Sequence, residues 1–315
     1  MKKQALFLMV TALLCGVVLT GAEAVKSLKI LSIGNSFSIS VTKELNAIAA
    51  SDPTCTVVHE NAYLGGCSME RHWNEHLKCE KDPSYKTYSR KKYSLRDLLA
   101  KEKWDIVTIQ QASPLSWRKG SYEPFATNLI NLVKEMVPGA EIVIQQTWSY
   151  NAIARQFNPQ NKYCWKADGK PMDQNLMYDL LTDSYTELAK THNLRIIPAG
   201  YAVQLYRKAM GSKLVSAEPA DYQNSVHPNV PTTNDVVGSF SWRKANDSEQ
   251  VTLRTDSIHL NRRGQYLQAL VWYAALFGKD PEKITHKPAA VTDKEAALFK
   301  KCAQDAVANF KQVKK

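Results

Sequence analysis

The chain has 315 residues, 44% of them apolar and 23% charged, with thirteen Gly and thirteen Pro. That usage excludes collagen-like and low-complexity chains, and the length suffices for a domain with a sizeable core. The formal charge is +11, from 41 basic and 30 acidic residues. A basic excess favours acidic partners, but no zinc-finger spacing, helix-turn-helix cue or basic-aromatic stripe accompanies it, so nucleic acid is not an expected partner.

Residues 1–24 read MKKQALFLMVTALLCGVVLTGAEA. Lys2 and Lys3 precede an apolar run from Ala5 to about Leu19, and Ala22-Glu23-Ala24 carries small residues where a signal peptidase inspects the chain. This is the pattern of a secretory signal peptide cleaved after Ala24, which leaves a charge of +10. Cys15 raises a lipid anchor, but Leu14 before it is bulky for a lipobox. No later run of about 18 apolar residues exists, so no membrane span is expected in the mature protein. The expected location is secreted or periplasmic, where disulfides survive. Cys55, Cys67, Cys79, Cys164 and Cys302 remain, an odd number, so at least one is unpaired.

Five short strand-like runs follow in order: Leu28 to Ile33, Thr56 to Glu60, Trp104 to Ile109, Glu141 to Gln145 and Leu194 to Pro198. Between them lie helical patterns at Val41 to Ala50, Asn128 to Met136 and Met177 to His192, and Gly264 to Phe277 reads as a closing helix. Strands alternating with helices point to a parallel sheet with helices on both faces. Tyr150 to Asp173 and Ser216 to Asp256 do not fit the alternation and read as long functional loops. The tail from Asp280 onward is expected to add a peripheral helix. With no repeat and no clear linker, residues 25–315 read as one domain.

Two short blocks carry chemistry. Gly34-Asn35-Ser36-Phe37-Ser38 stands where the first strand ends, and ligands of a parallel α/β sheet bind outside the carboxyl ends of its strands. Ser36 there is a candidate nucleophile or a simple helix cap. Asp256-Ser257-Ile258-His259 places a carboxylate three residues before an imidazole, on a turn or helix start. A serine nucleophile needs such a base, and the base needs such an orienting acid.

A nucleophile after the first strand and Asp-x-x-His before the last helix resemble the SGNH/GDSL hydrolase superfamily, with element order matching from Leu28 to about Phe277. The resemblance implies a flavodoxin-like three-layer α/β sandwich with a five-stranded parallel sheet. It makes Ser36 the nucleophile, His259 the base and Asp256 the acid. The family's Gly block falls on Tyr63-Leu64-Gly65-Gly66-Cys67-Ser68, with Gly66 favoured as an oxyanion donor alongside the Ser36 N–H. Its Asn block falls on Ile109-Gln110-Gln111-Ala112-Ser113, where Gln110 or Gln111 carries the same amide donor on a longer arm. The Gln substitution and Asn35, in place of the family's Asp, resemble a divergent branch of secreted bacterial proteins of unknown function.

The implied activity is a secreted serine esterase removing O-acyl groups, acetyl foremost, from a carbohydrate. The alternative is a non-catalytic glycan-binding protein on a hydrolase fold. Trp73, Trp117, Trp148 and Tyr150 fall near predicted strand ends and are the expected substrate-stacking rings. No cofactor is expected. His72 and His76 stand four apart, but the Glu between them is not adjacent to the first His, so no metal site is assigned.

Overall fold

The computed structural model describes residues 24–217, 222, 224–244 and 250–310. The expected leader, Ala24 apart, lies outside them. Five strands form the central sheet: β1 Lys26–Gly34, β2 Cys55–Tyr63, β3 Ile106–Ile109, β4 Glu141–Gln145 and β7 Arg195–Ile197; β5 (Lys166–Ala167) and β6 (Lys170–Pro171) pair as a separate antiparallel ribbon. The order in the central sheet is β2-β1-β3-β4-β7 and every pairing within it is parallel. This is the doubly wound flavodoxin-like order, which reverses direction between β1 and β3. All four residues of β3 are buried, as are Ile30 to Gly34 in β1. Strands covered on both faces need continuous apolar runs, and these segments supply them.

Helices cover the sheet. α2 (Thr42–Ala50), α7 (Ala199–Met210), α8 (Arg262–Trp272) and α9 (Asp293–Asn309) pack on one another. α3 (Met69–Lys81) and α4 (Leu95–Ala100) pack on α5 (Phe125–Met136), and α6 (Gln174–His192) crosses from β4 to β7. Right-handed crossovers from β1 out to β2, then back to β3, put the two groups on opposite faces.

Two expectations need correcting. The stretch 216–256 is not wholly irregular: β8 (Val237–Lys244) and β9 (Val251–Leu260) form an antiparallel hairpin. Its apolar residues are few because much of it lies exposed outside the core, so the period-2 signal is faint. The closing helix expected over Gly264 to Phe277 is present, α-helical to Trp272 and continuing in wider π-helical turns over Tyr273–Phe277. The tail helix α9 is a core element. It buries Ala296, Phe299, Ala303 and Ala306, a three- and four-residue spacing, with Phe299 against Tyr206 and Tyr266.

The five cysteines among the described residues are free thiols, and all but Cys164 are buried. Burial pushes the Cys67 and Cys302 thiols up to about 12, so neither is a ready thiolate. Among the described residues, no helix is long and apolar enough to cross a membrane.

Candidate active site

The site stands at the carboxyl ends of β1 and β3, at the point where strand order reverses. β1 ends at Gly34, Asn35 caps the next turn by accepting the Phe37 N–H at 3.0 Å, and Ser36 opens the four-residue helix α1 (Ser36–Ile39). Asn35 in place of an acid therefore has a structural role. Its Oδ1 also accepts from Gln110 Nε2 at 2.8 Å, and its Nδ2 donates to the Cys67 carbonyl at 2.9 Å. One side chain thus ties together the loops after β1, β2 and β3. The Phe37 carbonyl, one residue beyond Ser36, accepts from Gln145 Nε2 at 2.7 Å and Gln268 Nε2 at 2.9 Å. A helix of four residues has little dipole, so an oxyanion here depends on individual donors.

The imidazole arrives from the far end of the domain. Ser36 Oγ lies 2.8 Å from His259 Nε2, and His259 Nδ1 lies 2.8 Å from Asp256 Oδ2. Asp256 Oδ1 accepts the backbone N–H groups of Ile258 and His259 at 2.9 and 3.0 Å. Burial alone would raise the Asp256 carboxyl, but the His259 ring and these two amides outweigh it and hold it down at about 2. An ionised Asp256 accepts a hydrogen bond from the His259 Nδ1–H, which leaves the Nε2 lone pair facing the Ser36 hydroxyl.

The Asp-x-x-His spacing sits on a strand rather than on a turn or helix start. Residues three apart on a regular strand face opposite sides. Here Val237 pairs with Leu260 but Ser239 pairs with Asp256, so two steps on β8 oppose four on β9. The bulge folds Asp256 back under His259. Gly238, at φ +95°, stands opposite it. A Cβ there would meet the Asp256 carbonyl oxygen at 2.9 Å, in a backbone region that side chains rarely enter.

The segment after β4 buttresses this strand end. Trp148 Nε1 donates to the Ile258 carbonyl at 2.9 Å, and Asn151 N to the Ser257 carbonyl at 2.8 Å. Phe37 stacks on Trp148 at 4.2 Å between centroids and meets the His259 ring edge-on at 5.5 Å. Beneath, Arg207 pairs with Asp235 at 3.0 Å and reaches the Ser149 and Tyr150 carbonyls; both charged side chains are buried.

The other expected site residues are placed as follows. Gly66 has φ +59°, is exposed, and donates its N–H to no protein group among the described residues. Gln111 is buried with its amide engaged at both ends: Oε1 accepts from Met69 N and Ala112 N, and Nε2 donates to the Ser121 carbonyl. Of the two glutamines, Gln110 is the one beside Asn35. Trp148 and Tyr150 are buried, with Tyr150 hydroxyl bonded to Ser113 at 2.9 Å, so packing replaces the stacking expected of them. Trp73 and Trp117 are partly buried against the core. His72 is buried and bonds Tyr88 hydroxyl and the Gly34 carbonyl, and no group of residues suited to a metal ion occurs among the described residues.

The supporting set Phe37, Asn151, Arg207, Asp235, Gly238 and Gln268 had no local signal in the sequence. Each acts through a partner far along the chain.

Fold and side chains together define a doubly wound α/β protein with a Ser–His–Asp constellation at its topological switch point. Residues 29–215 match the domain of unknown function DUF4886, and the chain belongs to that family. A solved DUF4886 protein from Bacteroides uniformis shares the fold at TM-score 0.64 and 24% identity, covering 90% of this chain and 96% of its own. The chain is also similar to a putative SGNH hydrolase from Slackia heliotrinireducens, at TM-score 0.47 and 18% identity over 80% of this chain and all (100%) of that one. A structure described as an acetyl xylan esterase stands at TM-score 0.44 and 12% identity, over 79% of this chain and 100% of its own. No curated protein matches.

Proposed function

We propose that this chain is an exported serine esterase that removes O-acyl groups, acetyl foremost, from a carbohydrate. The relay from Ser36 through His259 to Asp256 carries the reading. Three side chains from a loop after β1 and a bulged strand about 220 residues later meet in a hydrogen-bond order suited to proton transfer.

In this reaction His259 Nε2 takes the Ser36 hydroxyl proton as Oγ attacks the ester carbonyl. The carbonyl electrons move onto oxygen, held by the N–H groups of Ser36 and Gly66 and the Gln110 amide. The intermediate collapses, the alkoxide leaves with the proton from His259, and an acyl-Ser36 ester remains. His259 then deprotonates water, which attacks the acyl carbon. The carboxylic acid departs and Ser36 recovers its proton. Asp256 stays ionised throughout and stabilises the imidazolium.

The adjoining cleft supports a polar substrate. It has a volume of about 580 Å³ and a mixed lining: Ser239, Ser241, Thr255, three arginines, Asp256 and His259, interspersed with Ile153, Tyr222 and Ile258. Such a wall suits hydroxyl-rich substrates better than fatty acyl chains. Labelling by a fluorophosphonate and hydrolysis of p-nitrophenyl acetate test the reading. Wild type should do both, and Ser36→Ala should do neither while melting normally. A wild-type protein inert to the probe would leave the non-catalytic glycan-binding alternative.

A further inference from the structure

The cleft beside His259 has one property that ester hydrolysis does not require. Arg155, Arg243 and Arg254 all line it. Arg243 and Arg254 come from the β8–β9 hairpin. Arg254 pairs with Ser241 and Arg243 with Thr252, so the two arginines are diagonal neighbours on one face. The same face carries Ser239 and Asp256, at the mouth of the catalytic relay. Arg155 reaches the cleft from the loop after β4, with its guanidinium 4.8 Å from the Tyr163 ring centroid.

All three arginines are exposed, and among the described residues none has a carboxylate partner. Elsewhere on this protein arginines are spent on carboxylates: Arg96 on Glu80 and Glu135, Arg195 on Glu141, Arg207 on Asp235 and Arg263 on Glu295. Two guanidiniums without a carboxylate partner among the described residues stand side by side on a hairpin and repel each other, and a third lines the same cleft. An anion between them relieves that repulsion and gains fork-shaped hydrogen bonds. A strand rises about 3.4 Å per residue, so Arg254 stands about 7 Å along the strand from Asp256, beyond the reacting ester.

We propose that this cleft is an anion subsite, which binds a carboxylate or sulfate carried by the carbohydrate near its acylated position. This rests on the esterase reading for the identity of the ligand, but the cleft can be tested without turnover. The substrate class is then an acylated acidic glycan, a uronate or a sulfated sugar, rather than a neutral one. The subsite selects by charge, while Ser36 and its donors act on the ester.

The test is binding to the Ser36→Ala protein, measured by calorimetry with three unacylated probes: an oligogalacturonate, a sulfated galactan oligosaccharide and a neutral xylo-oligosaccharide. One or both charged probes should bind, more weakly as salt rises, and the neutral one should bind at least about tenfold more weakly. The tighter charged probe identifies carboxylate or sulfate as the group read. Adding Arg243→Ala and Arg254→Ala should weaken charged binding about tenfold or more, with melting used to verify folding. Arg254→Lys should restore part of that loss, since charge returns without the fork. Equal affinity for neutral and charged probes, no binding of any probe, or no effect of the double substitution would each overturn the subsite. Because the fluorophosphonate experiment uses wild type and this one uses Ser36→Ala, either reading can fail alone.

Discussion

Asp256→Asn changes one atom and should reverse the proton order of the relay. Asp256 Oδ1 accepts from two backbone N–H groups at 2.9 and 3.0 Å, and Oδ2 accepts from His259 Nδ1 at 2.8 Å. An asparagine must keep its carbonyl oxygen at the Oδ1 position, because an NH2 there would face two donors. Its NH2 then faces Nδ1, which must become the acceptor. The imidazole proton moves to Nε2, the atom 2.8 Å from Ser36 Oγ. A protonated Nε2 can donate to the hydroxyl but cannot take its proton. The expected loss in kcat is about 10³- to 10⁴-fold, or ~4–5.5 kcal/mol of transition-state stabilisation. The carboxylate is half-exposed, so the fold should lose about 1 kcal/mol, a melting shift of a few degrees. The assay is p-nitrophenyl acetate hydrolysis for wild type, Asp256→Asn, Ser36→Ala and the double variant. Residues acting as a unit are non-additive, so the double variant should be no slower than Ser36→Ala. Asp256→Asn activity within tenfold of wild type would refute the claim that this carboxylate sets the tautomer.

The two glutamines after β3 should separate by readout. Gln110→Ala should lower kcat about 100- to 1000-fold in the same assay if its amide holds the oxyanion. Gln111→Ala, which strips partners from buried Met69 and Ala112 amides, should instead cost about 1–3 kcal/mol of unfolding free energy in urea melts. Equal kinetic loss in both would reject that division. Arg207→Met should destabilise by about 3–5 kcal/mol, since it leaves Asp235 buried without its cation, and unchanged urea unfolding would contradict the pairing. Burial holds the His72 imidazole down at about 4, so between pH 6.5 and 4 the unfolded chain binds a proton that the folded chain refuses. Stability should therefore fall on acidification, by about 2 kcal/mol from this residue at pH 5. Urea unfolding at pH 7 and pH 5 checks it: His72→Phe should narrow the difference, and an unchanged one would exclude His72 as the source.

The site was legible where local chemistry leaves a local mark. Gly-Asn-Ser after an apolar strand and Asp-x-x-His before a helix are short blocks whose residue types mark candidates for a nucleophile, a base and an acid, and their side chains meet in the fold. The rings were legible only as aromatic. Trp148 and Tyr150 read as substrate-stacking rings, and packing claimed them when the segment after β4 met the end of β9 and Ser113. The β8–β9 hairpin escaped because its exposed strands carry too little apolar alternation to show.

The order of strands and helices follows from the chain itself, since apolar period and strand length are set residue by residue and a parallel sheet has few ways to close. What tertiary structure decided was proton order and access. A bulge opposite Gly238 brought Asp256 under His259, and Asn35 drew Gln110 in while Gln111 was spent elsewhere. The arginines acquired a common face only through strand register. Such relations join residues distant along the chain, and packing alone supplies them.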